Sequence, residues 1–331
     1  MDKVYRVALV GCGAIHKNHI NGILAAGHTV CALCDIEEAR AQDAASLLEG
    51  ARVYTDYETM LDAEQPDAVH ICTPHYLHAK MSIAALERGI NVLCEKPLCI
   101  NRTELERVMA AAEASSAQIG VCHQNRYEPY FLELKKRAGE NPAGALGVVA
   151  WNRDADYYAS GEWRGKWLTE GGGVMINQAL HTLDLLQWIG GEPVCVTAHI
   201  ANDHLKNEIE VEDTATALFE TADGRRLNLF ATTACGANFP AQLHVKSQDG
   251  RRFYADTKLL TENGEPVRVE NGEGEQIGKA VWGRGHALLI GDFYRCVATG
   301  EHFPIDAAEG AKVIRLILSM YESNGKRTDV Y

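Results

Sequence analysis

Over its first 120 residues the chain alternates short apolar runs with longer segments of helical spacing, and no feature narrows its fold more. The runs fall at 4–10, 29–35, 68–72, 91–94 and 118–122, each short enough for a strand buried on both faces. Between them, 15–26, 37–48, 76–88 and 103–114 carry apolar residues at helical intervals. Gly89 closes the third of these, and Asn101 is the predicted N-cap of the last. Strands and helices in this order require right-handed crossovers, which predicts a doubly wound α/β domain with a parallel sheet.

After residue 123 the pattern changes. A helical piece at 127–138 leads to strand-like runs at 146–155, 194–201, 214–220, 226–233, 242–247 and 251–255. Asp223-Gly224 and Asp249-Gly250 mark tight turns between neighbouring runs, which favours antiparallel pairing. A helical stretch at 175–189 interrupts the strands, and two more, at 285–299 and 307–323, close the chain. The prediction is an α+β domain over 123–331 with an open, mainly antiparallel sheet, following a doubly wound domain over 1–122. The C-terminal helix is expected to be able to pack back on the first domain. At 331 residues and 46% apolar, the chain can fill two cores of ordinary size.

A formal charge of -13 and the absence of any Lys/Arg-rich run argue against nucleic acid as a partner. No apolar stretch reaches the roughly 18 residues of a membrane span, and the first residues run straight into a strand-like segment, so a cytoplasmic protein is expected. Ten cysteines are scattered, with Cys31, Cys34, Cys72, Cys94 and Cys122 inside apolar runs, and they read as buried thiols. Cys31 and Cys34 have C-x-x-C spacing, but no second ligand pair follows, so no metal site is expected.

Directly after the first strand-like run stands Gly11-Cys12-Gly13-Ala14-Ile15-His16, opening a helix. Gly11 permits a tight turn, Gly13 lets backbone approach a pyrophosphate, and the helix start at Ala14 and Ile15 offers free amides and the positive end of the dipole. Asp35 closes the second run about 20 residues on, where a carboxylate can accept both adenosine ribose hydroxyls. This is the Rossmann dinucleotide fingerprint, with His16 where its third glycine would stand. Ile36 and Glu37 follow Asp35 without a cation to meet a 2′-phosphate, and Arg40 is the nearest one, so NAD is favoured over NADP.

Further segments, taken in order, resemble the glucose–fructose oxidoreductase and inositol dehydrogenase family, Gfo/Idh/MocA. They are Gly11 to Ile15 with His19; Thr73-Pro74-His75 with His78; Glu95-Lys96-Pro97; His123-Gln124-Asn125-Arg126-Tyr127; Gly171-Gly172-Gly173-Val174 running to His181 and Asp184; and Gly285-His286 with Asp292-Phe293. The resemblance covers nearly the whole chain and implies the same two-domain fold. It places Thr73, Pro74 and His75 near the nicotinamide end, has His78 close their loop, and sets Glu95 and Lys96 by the nicotinamide ribose and the reacting carbon. Gln124 joins the cofactor set, which also includes Ile36. The resemblance further implies a homodimer or homotetramer, and a cis peptide before Pro97 is a frequent family feature.

What the family chemistry needs is a base and an electrostatic stabiliser sharing one hydroxyl oxygen while hydride leaves the carbon. The resemblance assigns these roles to Lys96 and to an acid/histidine pair spaced D-x-x-x-H; here the histidine is His181 and the acid's place is taken by Asn177. Four residues apart on a helix, Asn177 and His181 are expected to share one face. An amide cannot take a proton, so Asn177 is assigned to substrate positioning and proton transfer to His181. Asp184, a turn further, either orients His181 or faces solvent. The aromatic and cationic stretch at 156–167 suits a sugar ring and its hydroxyls: Tyr158 and Trp163 are expected to line the site, Arg126 to lie near ribose or substrate, and Arg164 near the site or the cofactor phosphates. His286 is expected to be structural.

The expectation is therefore an NAD-dependent enzyme oxidising a secondary hydroxyl of a sugar, glucoside or cyclitol. Two alternatives stay open: a glycosidase using bound NAD for transient oxidation and elimination, and a nucleotide-binding regulator without activity, suggested by His16 and Asn177.

Overall fold

The computed structural model describes residues 3–270 and 284–331. By the density of its contacts the chain divides into two compact units, residues 3–124 with 284–311, and residues 125–270 with 312–331. The boundary expected at 122/123 thus marks only the first crossing, because a later segment rejoins the first unit.

The first unit runs β1 (Arg6–Val10), α1 (His16–Ala25), β2 (Thr29–Cys34), α2 (Glu38–Ala45), β3 (Arg52–Tyr54), α3 (Tyr57–Glu64), β4 (Ala68–Ile71), α4 (His75–Leu86), β5 (Asn91–Cys94), α5 (Arg102–Ala114) and β6 (Ile119–Val121). All its strand pairs are parallel, in the order β3-β2-β1-β4-β5-β6. The order reverses between β1 and β4, and the crevice beyond the carboxyl ends of the strands there is where such sheets take ligands. β4 is buried at every position, as a strand covered on both faces must be. Asn101 caps α5 by accepting from the Glu104 amide at 2.9 Å, as its position implied. The apolar spacing left β3 and α3 unassigned; Asp56 starts α3 by accepting from the Thr59 amide.

In the second unit, α6 (Pro129–Ala138) leads to β7 (Gly144–Asn152), α7 (Ala155–Ala159), α8 (Val174–Asn177), α9 (Leu180–Gly190), β8 (Pro193–Ala201), β9 (Thr214–Thr221), β10 (Arg226–Thr232), β11 (Ala234–Lys246), β12 (Arg252–Ala255), β13 (Leu260–Glu262) and β14 (Glu265–Pro266). After α10 (Gly285–Thr299) and α11 (Ala307–Ser323), β15 (Thr328–Asp329) adds the edge strand beside β8. The nine-stranded sheet has the order β14-β13-β12-β11-β7-β10-β9-β8-β15, antiparallel except where β10 lies parallel to β7. Its strands alternate buried and exposed positions, as in β10, so one face carries the core. Gly147 of β7 lets α9 come close: a Cβ there would lie 2.9 Å from Thr182 Cγ2.

The returning segment of the first unit holds the start of α11 as well as the whole of α10, and a Cβ on Gly310 of α11 would lie 2.7 Å from the Val121 side chain of β6. α10 packs on α1, where a Cβ at Gly22 would lie 2.4 Å from the Ile290 side chain. All ten cysteines are free thiols, and among the described residues no helix is long and apolar enough to cross a membrane.

Gly11 has φ +91°, and a Cβ on it would lie 2.6 Å from the backbone of Cys72. Both facts require glycine at the end of β1. Gly11→Ala is expected to cost about 1–3 kcal/mol of stability, read as a lower urea midpoint; an unchanged midpoint would mean that the turn is not constrained as described.

Candidate active site

In the first unit the candidate residues lie at the carboxyl ends of adjacent strands. Gly11 to Ile15 follow β1, Asp35 and Ile36 follow β2, Thr73 and Pro74 follow β4, and Glu95 and Lys96 follow β5. A Cβ on Gly13 would meet nothing within 4 Å, so protein packing does not demand glycine there and the space stays open beside the helix start. The first turn of α1 has no side-chain cap. Together these leave backbone amides and room for a pyrophosphate. His16, in place of the third fingerprint glycine, is half-buried and bends back so that its Nδ1 lies 2.5 Å from the Gly13 carbonyl.

Asp35 is buried, and its carboxylate accepts from the Cys12 amide (2.8 Å) and the Glu37 amide (2.9 Å). These bonds fix its direction and leave further lone pairs for ribose hydroxyls. Ile36 is 88% exposed beside it, an apolar surface for a flat base. Arg40 is tied to Glu37 at 2.8 Å, so the nearest cation is already engaged.

Glu95 is the centre of a buried network that sequence reasoning left largely unread. His19 Nε2 lies 2.9 Å from Glu95 Oε1, His19 Nδ1 lies 2.8 Å from His70 Nδ1, and His70 Nε2 lies 2.9 Å from the Tyr294 hydroxyl. A carboxylate only accepts, so His19 donates from Nε2. Its Nδ1 then accepts from His70 Nδ1–H, and His70 Nε2 accepts from Tyr294. His286 Nε2 adds a donor to Glu95 at 3.3 Å. Burial alone opposes charge on Glu95, but the bonds from His19 and His286 hold its carboxyl well below the usual range. Burial lowers both His19 and His70, so these rings are neutral, as the chain of donors requires.

His19, Glu95 and Cys122 bring possible ligand atoms within 4.8 Å of one another. His19 aims an N–H, not a lone pair, at the carboxylate, and burial pushes the Cys122 thiol well up. The cluster is built for hydrogen bonding rather than for a cation.

Lys96 follows Glu95 across a cis bond to Pro97, and its amide donates to Glu95 Oε2 at 3.2 Å. The buried ring of His78 spans two carbonyls, with Nδ1 2.6 Å from Pro97 and Nε2 2.8 Å from Thr73, tying the exits of β4 and β5 together. His75 is buried at the start of α4, with its ring 5.9 Å from that of His78. Gln124 is buried in a 3-10 turn, Gln124–Tyr127.

In the second unit the helix predicted over 175–189 is broken between α8 and α9. The Ala179 amide donates to the Val174 carbonyl at 2.7 Å, one residue beyond the α-helical partner. That wide turn separates the short helix ending at Asn177 from α9, which carries His181, so the predicted helix is not continuous; such bulges gather at functional positions. Asn177 ends α8 and donates from Nδ2 to Glu170 Oε1 (2.6 Å) and to the Tyr157 hydroxyl (3.2 Å). Glu170, fully buried, also accepts from the Gly165 amide at 2.5 Å. Glu170 thus fixes which way the Asn177 amide points.

The glycine run has a packing reason. A Cβ on Gly173 would lie 1.9 Å from the Glu212 carbonyl, and one on Gly172 would lie 1.8 Å from the Tyr321 hydroxyl. The Glu212 carboxylate accepts from the Gly173 and Met175 amides at 3.0 Å and from Tyr321 at 3.1 Å, clamping the start of α8.

Three expectations are corrected here. Tyr158 does not face a site: it is buried in an apolar cluster with Leu205, Ile209 and Val211, and its neighbour Tyr157 presents the hydroxyl instead. Arg126 is not aimed at ribose or substrate, since both its Nε and Nη2 are held by Asp184 at 2.7 and 2.6 Å, with both side chains buried. Asp184 accordingly does not face solvent: it is buried and its carboxylate holds Arg126. Arg164 donates to Tyr157 at 2.7 Å and stacks on Trp163 at 4.6 Å. Tyr157, Glu170, Glu212 and His70 were missed; a histidine in an otherwise apolar strand, and a glutamate next to three glycines, were the available signals.

An open β-sheet domain paired with a doubly wound domain whose carboxyl edge carries a glycine turn, an acid and a lysine defines a nucleotide-dependent oxidoreductase. Residues 5–123 match the oxidoreductase family with an NAD-binding Rossmann fold, Gfo/Idh/MocA, and residues 131–251 match its C-terminal domain. The chain belongs to the Gfo/Idh/MocA family, and its first unit is an NAD-binding domain. It is 29% identical to an inositol 2-dehydrogenase 2 of Saccharopolyspora erythraea over 66% of its own length and 63% of that protein's. It is 26% identical to a D-apiose dehydrogenase of Paraburkholderia graminis, over 81% of this chain and 72% of that protein. The WlbA dehydrogenase of Bordetella pertussis, solved with NADH and UDP-GlcNAcA, superposes with a TM-score of 0.86 at 26% identity over 99% of each chain.

Burial raises Glu212 from its ordinary 4.5 to about 7 against its hydrogen bonds. Between those values the native state binds the extra proton, so this group's contribution to stability falls as pH rises from 4.5 to 7 and is flat above. Relative to Glu212→Gln, the wild type is expected to lose about 3 kcal/mol between pH 4.5 and pH 8 in urea titrations; parallel pH profiles would contradict it.

Proposed function

We propose that the protein oxidises a secondary hydroxyl of a sugar, glucoside or cyclitol, with NAD as acceptor. The observation that carries this reading is Lys96, set directly after a buried anion at the carboxyl edge of an NAD-binding sheet. Family membership and the sugar and cyclitol dehydrogenases among its relatives support it.

NAD supplies the hydride acceptor when bound. The residues to hold it are Gly11, Gly13, Ala14 and Ile15 for the pyrophosphate, Asp35 and Ile36 for the adenosine, and Thr73, Pro74, His75, His78, Glu95 and Gln124 toward the nicotinamide. Lys96 stabilises the developing alkoxide on the reacting hydroxyl and orients it, while His181 takes the proton. Asn177, its amide fixed by Glu170, positions a substrate hydroxyl through Oδ1. Trp163 offers an aromatic face to the ring, and Arg164 belongs with the substrate residues. Tyr157 takes the place given to Tyr158 by sequence. Among exposed apolar residues, Phe230 and Phe239 on the open sheet suit pairing with a second copy in a cytoplasmic homodimer or homotetramer.

Lys96→Ala and His181→Ala are each expected to lower kcat by about two orders of magnitude or more, measured as NADH formation across hexoses, glucosides and inositols; unchanged rates in both variants would refute the assignment. Release of an aglycone without NADH would favour the eliminating glycosidase. Because Asp35 and the Glu37–Arg40 pair leave no cation for a 2′-phosphate, calorimetry should give tighter binding of NAD than NADP, and the reverse order would remove that part of the reading.

A further inference from the structure

Arg153 and Arg164 are two cations of the second unit that have no ion-pair partner among the described residues. Both guanidinium carbons lie 4.6 Å from the centre of the Tyr157 ring, so they are at most twice that distance apart. Arg153 also stacks on Trp151 and Arg164 on Trp163, each at 4.6 Å. Like charges gathered around one ring repel, and this chain has 45 acidic residues against 32 Lys and Arg from which partners could have been drawn.

Several other arginines of the second unit take carboxylates: Arg126 holds Asp184, Arg137 holds Glu133 and Glu262, and Arg225 holds Asp223. Among the described residues Arg153 and Arg164 hold none. Arg164 donates to the Tyr157 hydroxyl and Arg153 to the Asn152 carbonyl, each at 2.7 Å, and the buried Nε of each has no acceptor. Stacking covers the flat face of a guanidinium; it does nothing for the fork of donors at its edge, which matches a carboxylate or a phosphate. Both side chains are half-buried, so each keeps some surface within reach of an anion arriving from solvent, while its Nε is enclosed. Tyr157 links the pair to Asn177, the residue assigned to substrate positioning.

Resting on the dehydrogenase reading above, we infer that Arg153, Arg164 and the Tyr157 ring form a subsite for an oxyanion carried by the substrate. The hydroxyl oxidised then belongs to a sugar or cyclitol that is itself an acid or a phosphate ester, not to a neutral one.

Calorimetry on the NAD-loaded protein tests this with glucose, glucuronate, glucose 6-phosphate and UDP-glucuronate as probes. At least one acidic probe is expected to bind tenfold or more tightly than glucose, and Arg153→Gln and Arg164→Gln are each expected to weaken it at least tenfold. Arg164→Lys, which keeps the charge without the planar fork, should fall between wild type and Arg164→Gln. Preference for glucuronate over glucose 6-phosphate identifies a carboxylate, and the opposite order a phosphate. Glucose binding as tightly as every acidic probe, or acid binding that neither substitution alters, overturns the subsite. Binding needs no turnover, so acid binding without NADH formation would refute the dehydrogenase reading and leave the subsite standing.

Discussion

One buried anion organises the carboxyl edge of the first sheet. Glu95 is enclosed at the end of β5, where an unpaired carboxylate would be expelled or neutralised. Donors from His19 and His286 make its charge tenable, and the chain back through His70 to Tyr294 sets each tautomer in turn. The anchoring residues come from α1, β4 and α10, so the helix that returns late in the sequence completes the setting of a residue near position 95. Lys96 stands at the end of this chain. Its backbone direction is fixed by the same carboxylate, and the His78 ring ties the neighbouring strand exits.

The second unit solves a similar problem with different parts. Glu212 and Glu170, both buried, turn their carboxylates on backbone amides and on the Asn177 side chain, and so hold a short irregular segment that has too few residues to stabilise itself as a helix. The glycines at 172 and 173 are the counterpart: they admit Tyr321 and the Glu212 backbone where any side chain would collide. Rigid polar anchoring around a deliberate break in a helix is what places Asn177, and the same break separates it from the regular helix that carries His181.

Much of the fold was legible in the sequence because buried parallel strands are read from composition alone. β5 and the two long helices α10 and α11 begin and end where the apolar pattern does, and Asp223-Gly224 and Asp249-Gly250 turn as their chemistry requires. β3 was invisible because its three residues, one exposed and two half-buried, have no period to detect. β11 was read as beginning eight residues late, since Gly236 and two register shifts disrupt its alternation. The site was less legible for a different reason. Tyr157 and Tyr158 are adjacent on one short helix; Tyr158 is buried in the cluster while Tyr157 packs against it and turns its hydroxyl to Arg164 and Asn177, and nothing local says which does which. Arg126 looked like a ligand residue because its partner, Asp184, lies 58 positions away. Pairings of that range are decided by tertiary packing, which is also why the histidine network behind Glu95 could not be assembled from spacing.

Tracing a deuterium label is the most direct test that hydride leaves a substrate carbon for NAD at this site. With a turned-over sugar or cyclitol labelled at the oxidised carbon, mass spectrometry of the recovered cofactor should find the deuterium on the reduced nicotinamide, in proportion to ketone formed. Deuterium appearing in water or retained in the product, with the cofactor unlabelled, would contradict the account.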